Sequence, residues 1–581
     1  MSLQGVRTHV HHSRTTGLRV VMVVLAVLLG VTVPSGATSH LAPAALQVSL
    51  PDHLGGCDPV GHVVNSSTAQ VLSLVLPSAY TSTPNGTVSQ ADSFLDQAEV
   101  VGLNPLTVDY QLKATATWAT GSPIGLPDFI ASWKIGAAGN GAAAAEYRAI
   151  KSIKGGLSKH QVVVTFKRPT SSWQSLFSPL LPGSVVPSTL LSCTGPSAAI
   201  DESAGPFEIL SSTPSTILLA KNPRWWGPAP PVALVQVTGG TPPTASTSSL
   251  VASLTERTWL TSPELDGLTS EPSTNSTVEA SNRILSLNFN VRSGPTASAT
   301  VRRAISRLID RQAIVAATAT NIDPNVAVAG SSLLSQAQPG YSGPSPVQSN
   351  STTTTSTTSD AQGSPPATIS PSSATTAPGN PSQLEQANKL LTRAGLTHSN
   401  GSWLTRDRRP LTLSMAVPLD DGWALESAAM LAAQLRADDL HVTLTFVPSS
   451  AASARSLVST QTSMGLIARP TDPFIGHAVA WFSRTPGVPA SMFWSGFTSK
   501  AITALAQRAS TDMNPQTAEP LYAAINASLH QAVPTWPLYT EPLVTAWSSS
   551  LTGVDANPYP PGTLSSILAW APASPNPPTS G

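Results

Sequence analysis

Residues 204–227 constrain the fold more than any other stretch of the chain. Residues 207–209 alternate between apolar and polar side chains, and a second apolar run occupies 217–220. This pattern predicts two half-buried β-strands. The segment between them, 211–215, is rich in serine and threonine and contains a proline, as turns often are. Asn222-Pro223 ends the second strand, because proline lacks the N–H that a strand pair needs. We therefore predict an antiparallel hairpin, followed by Trp-Trp-Gly.

Composition limits the class of protein. The 581 residues suffice for two or three domains, and 41% hydrophobic residues suffice for a sizeable core. Only 11% of the residues are charged, against about 25% in an average soluble protein, and the 31 basic residues equal the 31 acidic ones. Nucleic-acid binding requires clustered basic charge. We therefore predict no nucleic-acid partner.

The N-terminal segment has the layout of an export signal. Arg14 and Arg19 precede an uncharged apolar run, 20–33, and the small residues 35–37 follow. These are the three regions of a secretory signal peptide, predicted here as residues 1–37. The run is shorter than the roughly 20 residues of a membrane span, although retention as an uncleaved anchor is the alternative. No cysteine directly follows the run, so we predict an exported protein without a lipobox.

Cys57 and Cys193 are the two cysteines of the chain. Export places them in an oxidising compartment, where disulfides form and persist. The sequence therefore predicts a disulfide between them. His53 and His62 flank Cys57 and suggest a metal site as the alternative, but a closed zinc site needs four ligands at tighter spacing. We predict neither a metal nor a cofactor.

Later segments alternate between strand and helix patterns. Residues 284–290 and 441–447 alternate in polarity and predict strands, whereas 300–316 and 423–438 have helical periodicity. Another strand is predicted at 411–417. Strands and helices that alternate at this spacing indicate an α/β fold.

A segment without a core-forming pattern interrupts this alternation. Residues 335–382 are dominated by serine, threonine and proline and contain almost no large apolar residues. Such a composition predicts a disordered insertion. Its hydroxyl groups could carry O-linked sugars, with a bare flexible loop as the alternative.

Five motifs occur in an order that resembles one protein family. They are the hairpin ending in Lys-Asn-Pro-Arg-Trp-Trp-Gly, Asp128-Phe129 with Ser132-Trp133, Val301–Arg311, Ala387–Gly395 and Val533–Tyr539. This order resembles the extracytoplasmic solute-binding proteins of ABC importers, in their oligopeptide/dipeptide-binding class, family 5. The turn at 120–123 lacks the aspartate that is usual in the family.

The resemblance implies an α/β, two-lobed periplasmic-binding-protein-like fold of type II, the large class with an extra subdomain in lobe I. Lobe I would comprise 38–285, with 80–185 as the subdomain. Lobe II would comprise 286–534, and 535–581 would return to lobe I. We predict a monomer that captures a peptide-like or other small polar or anionic ligand and works with ABC permease subunits.

Two alternatives to import remain at this stage. One is a non-transport binding or scaffold protein of this fold that acts in cell-envelope glycolipid biosynthesis, which the missing lipobox favours. The other is an exported hydrolase. The sequence contains no H-E-x-x-H, G-x-S-x-G, P-loop or S-x-x-K motif. We therefore predict that the protein is not an enzyme.

The predicted ligand contacts lie mainly in lobe II. Trp481 and Trp494 occur in a stretch rich in turn residues, where cleft loops would fall, and aromatic side chains supply large contact areas there. Each could instead belong to the core. Asn290, at the end of a predicted strand, and Tyr539, in the returning strand, complete the aromatic and polar candidates.

Arg469 marks a departure from peptide-binding relatives. Their loop resembles Gly-Trp-x-Ala-Asp-Tyr-x-x-Pro, and its aspartate pairs with the α-ammonium of the peptide. Anchored on Pro473, that position is Arg469 in this chain. An arginine suits a carboxylate or phosphate instead. Asp472 is the other candidate here, and it could simply neutralise Arg469.

Overall fold

The computed structural model describes residues 45–55, 59–60, 66–185, 202–213, 215–240, 253–257, 259, 261–341, 381–483 and 496–572. The segment 1–37, Cys57, Cys193 and Trp494 lie outside these ranges, so the predictions for them stay predictions. Among the described residues, no helix is both long and apolar enough to cross a membrane.

Lobe I is rich in β-structure. Its strands are β1 (Leu46–Leu50), β2 (Tyr80–Ser82), β3 (Val88–Gln90), β4 (Leu95–Leu103), β5 (Leu106–Leu112), β6 (Ile150–Gly155), β7 (Gln161–Phe166), β8 (Phe207–Ser212), β9 (Thr216–Lys221), β10 (Leu234–Gly239) and β11 (Ser253–Arg257). Its helices are α1 (Ser66–Val75), α2 (Leu126–Ala138), α3 (Ala144–Ala149) and α4 (Ser262–Thr269). Strand β1 lies parallel to both β10 and β11, which places it inside a sheet.

The predicted hairpin is confirmed as the antiparallel pair β8 and β9. The side-chain amide of Asn222 donates to the carbonyl oxygen of Gly205 at 2.9 Å and so joins the end of the hairpin to its beginning. A Cβ atom on Gly205 would lie 2.2 Å from the carbonyl oxygen of Leu74 in α1. The hairpin therefore needs glycine where it packs against this helix.

A separate four-stranded sheet, in the order β4-β5-β7-β6, forms the centre of a subdomain within lobe I. Asp128 at the start of α2 accepts hydrogen bonds from Trp118 Nε1 at 3.1 Å and from the backbone N–H groups of Gly125 and Gly183, both at 2.7 Å. The Ser132 hydroxyl accepts a hydrogen bond from Leu181 N–H at 2.9 Å. The Asp-Phe/Ser-Trp motif thus ties this helix to neighbouring loops.

Two long strands connect the lobes. They are β12 (Thr274–Phe289) and β18 (Thr535–Ser548), which pair antiparallel in the middle of a ten-stranded sheet. Their register shifts between Ala280 and Ile284. The first half of β12 pairs with the part of β18 that also pairs with β11 of lobe I, and its second half pairs with a strand of lobe II. Residues 281–283 are therefore the point where the chain crosses between lobes.

Lobe II alternates helices and strands. Its helices are α5 (Ala299–Leu308), α6 (Arg311–Thr318), α7 (Pro381–Arg393), α8 (Gly422–Ala437), α9 (Ser450–Val458), α10 (Ile475–Ala480), α11 (Lys500–Thr511) and α12 (Pro515–Ala532). Its strands are β13 (Thr397–Ser399), β14 (Ser402–Leu404), β15 (Thr412–Pro418), β16 (His441–Val447) and β17 (Met464–Pro470). This lobe has a hydrophobic core separate from that of lobe I.

Two sequence-based boundaries need correction. The single helix predicted at 300–316 is two helices, because the backbone turns extended at Ile309 and the Asp310 side chain accepts a hydrogen bond from Ala313 N–H at the start of the second. The predicted insertion begins too early, since Ser335 and Gln338 are buried. The Ser335 hydroxyl lies 2.7 Å from that of Tyr559. Residues 342–380 lie outside the described part of the chain.

The segment after β18 packs against lobe I. Strands β19 (Leu551–Thr552) and β20 (Ala571–Pro572) enclose a 3₁₀ helix at Thr563–Ala569. Leu564, Ile567 and Trp570 belong to the same hydrophobic core as β1. Lobe I is therefore built from both ends of the described chain.

Candidate functional site

A cavity of about 470 Å³ lies between the lobes, beside the strand crossing. Lobe I contributes Glu146 of α3, and lobe II contributes residues 470–472 and most of α10. Asn282 and Arg283 form the wall at the crossing itself. The volume lies in the usual range of small-molecule sites. Because both lobes and the crossing strand enclose the cavity, its shape depends on how far the lobes are closed.

Arg283 forms a network of buried charges at this wall. Its Nε donates to Glu541 Oε2 at 2.7 Å, and its Nη2 lies 3.1 Å from Asp421 Oδ2. The side chains of Glu541 and Asp421 are 0% and 3% exposed, and that of Arg283 is 25% exposed. The cation thus connects two buried carboxyl groups with the cavity.

Burial and charge act against each other in this network. Burial raises the pKa of Glu541 to about 8, and Arg283 opposes that rise. Burial also disfavours the charge of Arg283, but the Coulombic attraction of Glu541 and Asp421 outweighs it and raises the pKa of Arg283. Arg283 therefore stays protonated and is the cation that both carboxyl groups need.

His477 links the lobes on another wall of the cavity. Its Nδ1 lies 2.6 Å from Asp472 Oδ2 within lobe II, and its Nε2 lies 3.6 Å from Glu146 Oε2 in lobe I. Burial disfavours the imidazolium, but the two carboxylates outweigh burial and raise the pKa of His477 well above its ordinary value. Nearby, Ser171 N–H donates to the carbonyl oxygen of Ser510 at 2.9 Å. The lobes are therefore in direct contact around the cavity.

Replacing His477 with glutamine is expected to lower the free energy of unfolding by about 2 kcal/mol at low pH, and this loss should shrink as the pH rises. The folded pKa of His477 lies above the unfolded value of about 6.5. Its contribution is therefore complete below about pH 6.5 and is lost as the pH rises through the folded pKa. Urea unfolding of both proteins from about pH 6 to pH 9 measures the trend.

The exposed pair of His398 and Asp439 provides the control. Their side chains are 44% and 41% exposed. His398→Gln should therefore cost about 1 kcal/mol or less across the same pH series. A cost for His477→Gln that does not change with pH would contradict the ion-pair assignment.

The structure separates the predicted site residues into two groups. Asp472 and Trp481 line the cavity. Asn290 and Tyr539 are 2% and 0% exposed. Asn290 accepts a hydrogen bond from Arg292 N–H at 2.9 Å, and the Tyr539 hydroxyl lies 3.0 Å from that of Ser427. The second pair is therefore packed inside lobe II.

Arg469 lies behind the cavity wall. It is 4% exposed in β17 and donates through Nη2 to the carbonyl oxygen of Ser332. Its Nη1 has no hydrogen-bond partner among the described residues. Burial lowers the pKa of Arg469 to about 10, and Asp472 opposes that change. Arg469 therefore directly precedes the cavity-lining residues 470–472 but does not itself line the cavity.

Sequence reasoning missed Glu146, Arg283 and His477. Glu146 is the one charged residue between Lys134 and Arg148, in a run of alanine and glycine, and this isolation was a usable signal. Arg283 directly precedes a predicted strand and carries no motif of its own. His477 follows Asp472 by five residues, and their contact depends on the turn before α10.

The chain is similar to known proteins in both sequence and fold. The sequence profile of "Bacterial extracellular solute-binding proteins, family 5 Middle" matches residues 103–488. The fold is similar to that of the periplasmic EDTA-binding protein EppA, with a TM-score of 0.75 and 18% identity, covering 94% of this chain and 100% of that one.

Curated relatives match shorter segments. The probable monoacyl phosphatidylinositol tetramannoside-binding protein LpqW of Mycobacterium tuberculosis is 28% identical over 287 residues, which cover 47% of this chain and 45% of that protein. The oligopeptide-binding protein OppA of the same organism is 30% identical over 176 residues, which cover 29% of this chain and 30% of that protein. The chain thus aligns with less than half the length of either relative.

Proposed function

Because the chain belongs to the bacterial extracellular solute-binding proteins of family 5, we propose that it captures a small ligand between its lobes outside the cytoplasm and presents it to the permease of an ABC importer. The observation that carries this proposal is the cavity of about 470 Å³ that both lobes and the crossing strand enclose. Ligand contacts on both lobes would favour the closed form, which a permease can distinguish from the open one. The protein would act as an exported monomer without catalysis.

The charges around the cavity narrow the ligand chemistry. Glu146, Asp472, Arg283 and His477 place both signs at its walls. A ligand with a single strong charge would meet repulsion from one pair. We therefore favour a ligand whose polar part carries no net charge, with Asp472 and Trp481 as contacts. Arg469 is buried and does not line the cavity, so the anionic ligand that its sequence position suggested becomes the less favoured option.

A second candidate function rests on one comparison. The relative LpqW is named for binding a glycolipid, and a similar role would make this protein a binding or scaffold protein in envelope glycolipid biosynthesis. In that role the lobes would still close on a ligand, but no permease would be needed. Neighbouring genes for a permease and two ATPase subunits would favour import, whereas envelope-synthesis genes would favour the scaffold.

Native mass spectrometry of the protein purified without denaturation tests the binding function. We expect an added mass that disappears after unfolding and refolding, together with a larger radius of gyration by X-ray scattering once the ligand is removed. The variant His398→Gln changes only an exposed ion pair and serves as the control, so it should show the same added mass and the same change in radius of gyration. No added mass and an unchanged radius of gyration would contradict ligand capture between the lobes.

A further inference from the structure

A second cavity, of about 250 Å³, adjoins the first one on the side of lobe I. The two share the lining residues Ala69, Ala142, Asp472, His477 and Pro560, so they are neighbouring chambers. We call the second one the inner chamber. Its walls come from α1, from β2 and β3, from α3 and from residues 472–474 of lobe II.

The walls of the inner chamber are largely apolar. Its larger side chains are those of Val60, Leu72, Tyr80, Val88, Tyr147 and Phe474. Prolines 59, 179, 473, 560 and 561 add further apolar surface. Among the described residues that line it, the charged groups are Asp472 and His477, and both stand at the boundary with the first chamber.

Four of the five serines in these walls already use their hydroxyl groups within the protein. Ser73 donates to the carbonyl oxygen of Gln70 at 2.7 Å, and Ser175 donates to that of Ser172 at 2.7 Å. Ser82 donates to the carbonyl oxygen of Pro560, and the Ser178 hydroxyl accepts from Tyr80 N–H at 2.9 Å. Apart from the two tyrosines, the other uncharged polar side chains of these walls are Ser78, Thr81 and Gln174, and Gln174 is hydrogen-bonded to Tyr80. A polar ligand group in the inner chamber would therefore replace few of the hydrogen bonds that it makes with water.

We propose that the inner chamber binds the apolar chain of an amphiphilic ligand whose polar head group, without net charge, occupies the first chamber. This inference rests on the proposed function and specifies its ligand class. The boundary charges of Asp472 and His477 mark where the polar part ends. The volume of about 250 Å³ exceeds the roughly 150 Å³ of an apolar protein cavity that accepts benzene, so a short alkyl chain fits.

Phe474 links binding of the apolar ligand chain to closure of the lobes. It belongs to lobe II, whereas Leu72, Tyr80 and Val88 belong to lobe I, and all four line the inner chamber. An apolar chain that touches both sides buries more surface when the lobes are closed than when they are open. Chain length should therefore strengthen binding and closure together.

Three alkyl glucosides serve as probes, with the same uncharged head group and methyl, hexyl or octyl chains. Calorimetry with the full-length mature protein should show about a fourfold gain in affinity for each added methylene, which corresponds to about 0.8 kcal/mol. Octyl glucoside should thus bind about fifteenfold more tightly than hexyl glucoside. Equal affinities for the hexyl and octyl probes, or binding of none of the three, would overturn the proposal.

Val88→Trp tests the location of the chain. Val88 is half-buried and lines the inner chamber but not the first chamber. A larger side chain there should therefore reduce the difference in affinity between octyl and hexyl glucoside to about twofold or less. Val101→Trp, at a position 54% exposed in β4, is the matched control and should retain the full difference. An unchanged chain-length dependence in Val88→Trp would place the chain elsewhere and overturn the assignment.

A second variant keeps the test decisive if Val88→Trp does not fold. Phe474→Ser removes apolar surface on the lobe II side and should weaken octyl glucoside more than methyl glucoside. Equal weakening of all probes would indicate a structural role only and would contradict the proposal. If the glucosides fail while native mass spectrometry still detects a ligand released on unfolding, the amphiphile inference fails and ligand capture stands.

Discussion

Arg283→Met is expected to lower the free energy of unfolding by about 3–5 kcal/mol, because it leaves buried carboxyl groups without their cation. Glu541 is completely buried and Asp421 is nearly so, and Arg283 contacts both at 2.7 and 3.1 Å. Urea unfolding measures the loss. The loss should grow as the pH rises through about 8, the folded pKa of Glu541, because this carboxyl group is protonated below that pH and needs the cation only once it ionises.

An exposed ion pair supplies the matched control for Arg283. Lys113 lies 3.0 Å from Asp96, with side chains 34% and 59% exposed. Lys113→Met should cost about 1 kcal/mol or less. The double variant Arg283→Met with Glu541→Leu should recover much of the loss, because it removes one stranded charge as well. A cost for Arg283→Met as small as that for Lys113→Met would contradict the network described here.

Asp128→Ala is expected to destabilise the protein by about 3–5 kcal/mol, because it strands three donors at about 1–3 kcal/mol each. Those donors are Trp118 Nε1 and the backbone N–H groups of Gly125 and Gly183. Burial raises the pKa of Asp128, and these hydrogen bonds oppose the rise. Thermal unfolding followed by tryptophan fluorescence reports on the loss.

Asp128→Asn is the graded comparison. Asparagine keeps one acceptor oxygen but presents an NH₂ group where the carboxylate accepts a second set of hydrogen bonds. It should therefore cost less than alanine and more than a change at an exposed aspartate such as Asp407. Equal costs for Asp128→Ala and Asp407→Ala would show that Asp128 does not hold α2 in place.

The local patterns of the sequence predicted much of the fold. The hairpin β8–β9, the strands β15 and β16, and the helix α8 follow from periodicity and from turn residues, because both depend on neighbours in the chain. The wrong prediction of a single helix at 300–316 also has a local cause. Its apolar spacing continues across Asp310, whose capping hydrogen bond starts a new helix without interrupting the pattern.

The cavity required the tertiary structure. Trp481 and Asp472 could be found from turn composition and a family motif, and both line the cavity. Asn290 and Tyr539 have equally suitable side chains but pack inside lobe II. Tyr539 lies in the paired part of β18, and Asn290 follows β12 and hydrogen-bonds to Thr296 and Thr462. Residue type alone does not show whether a side chain lies at the cavity wall or inside the core of lobe II.

The sequence by itself determined the α/β class, the main strands and helices, and the family, because each depends on the order and spacing of residues along the chain. The tertiary structure decided which charges meet. Glu146 and His477 are 331 positions apart, and Arg283 and Glu541 are 258 positions apart. Their contacts arise because β12 and β18 cross between the lobes and bring distant segments to one cavity wall. Such long-range pairing is set by the packing of whole elements, which no local pattern encodes.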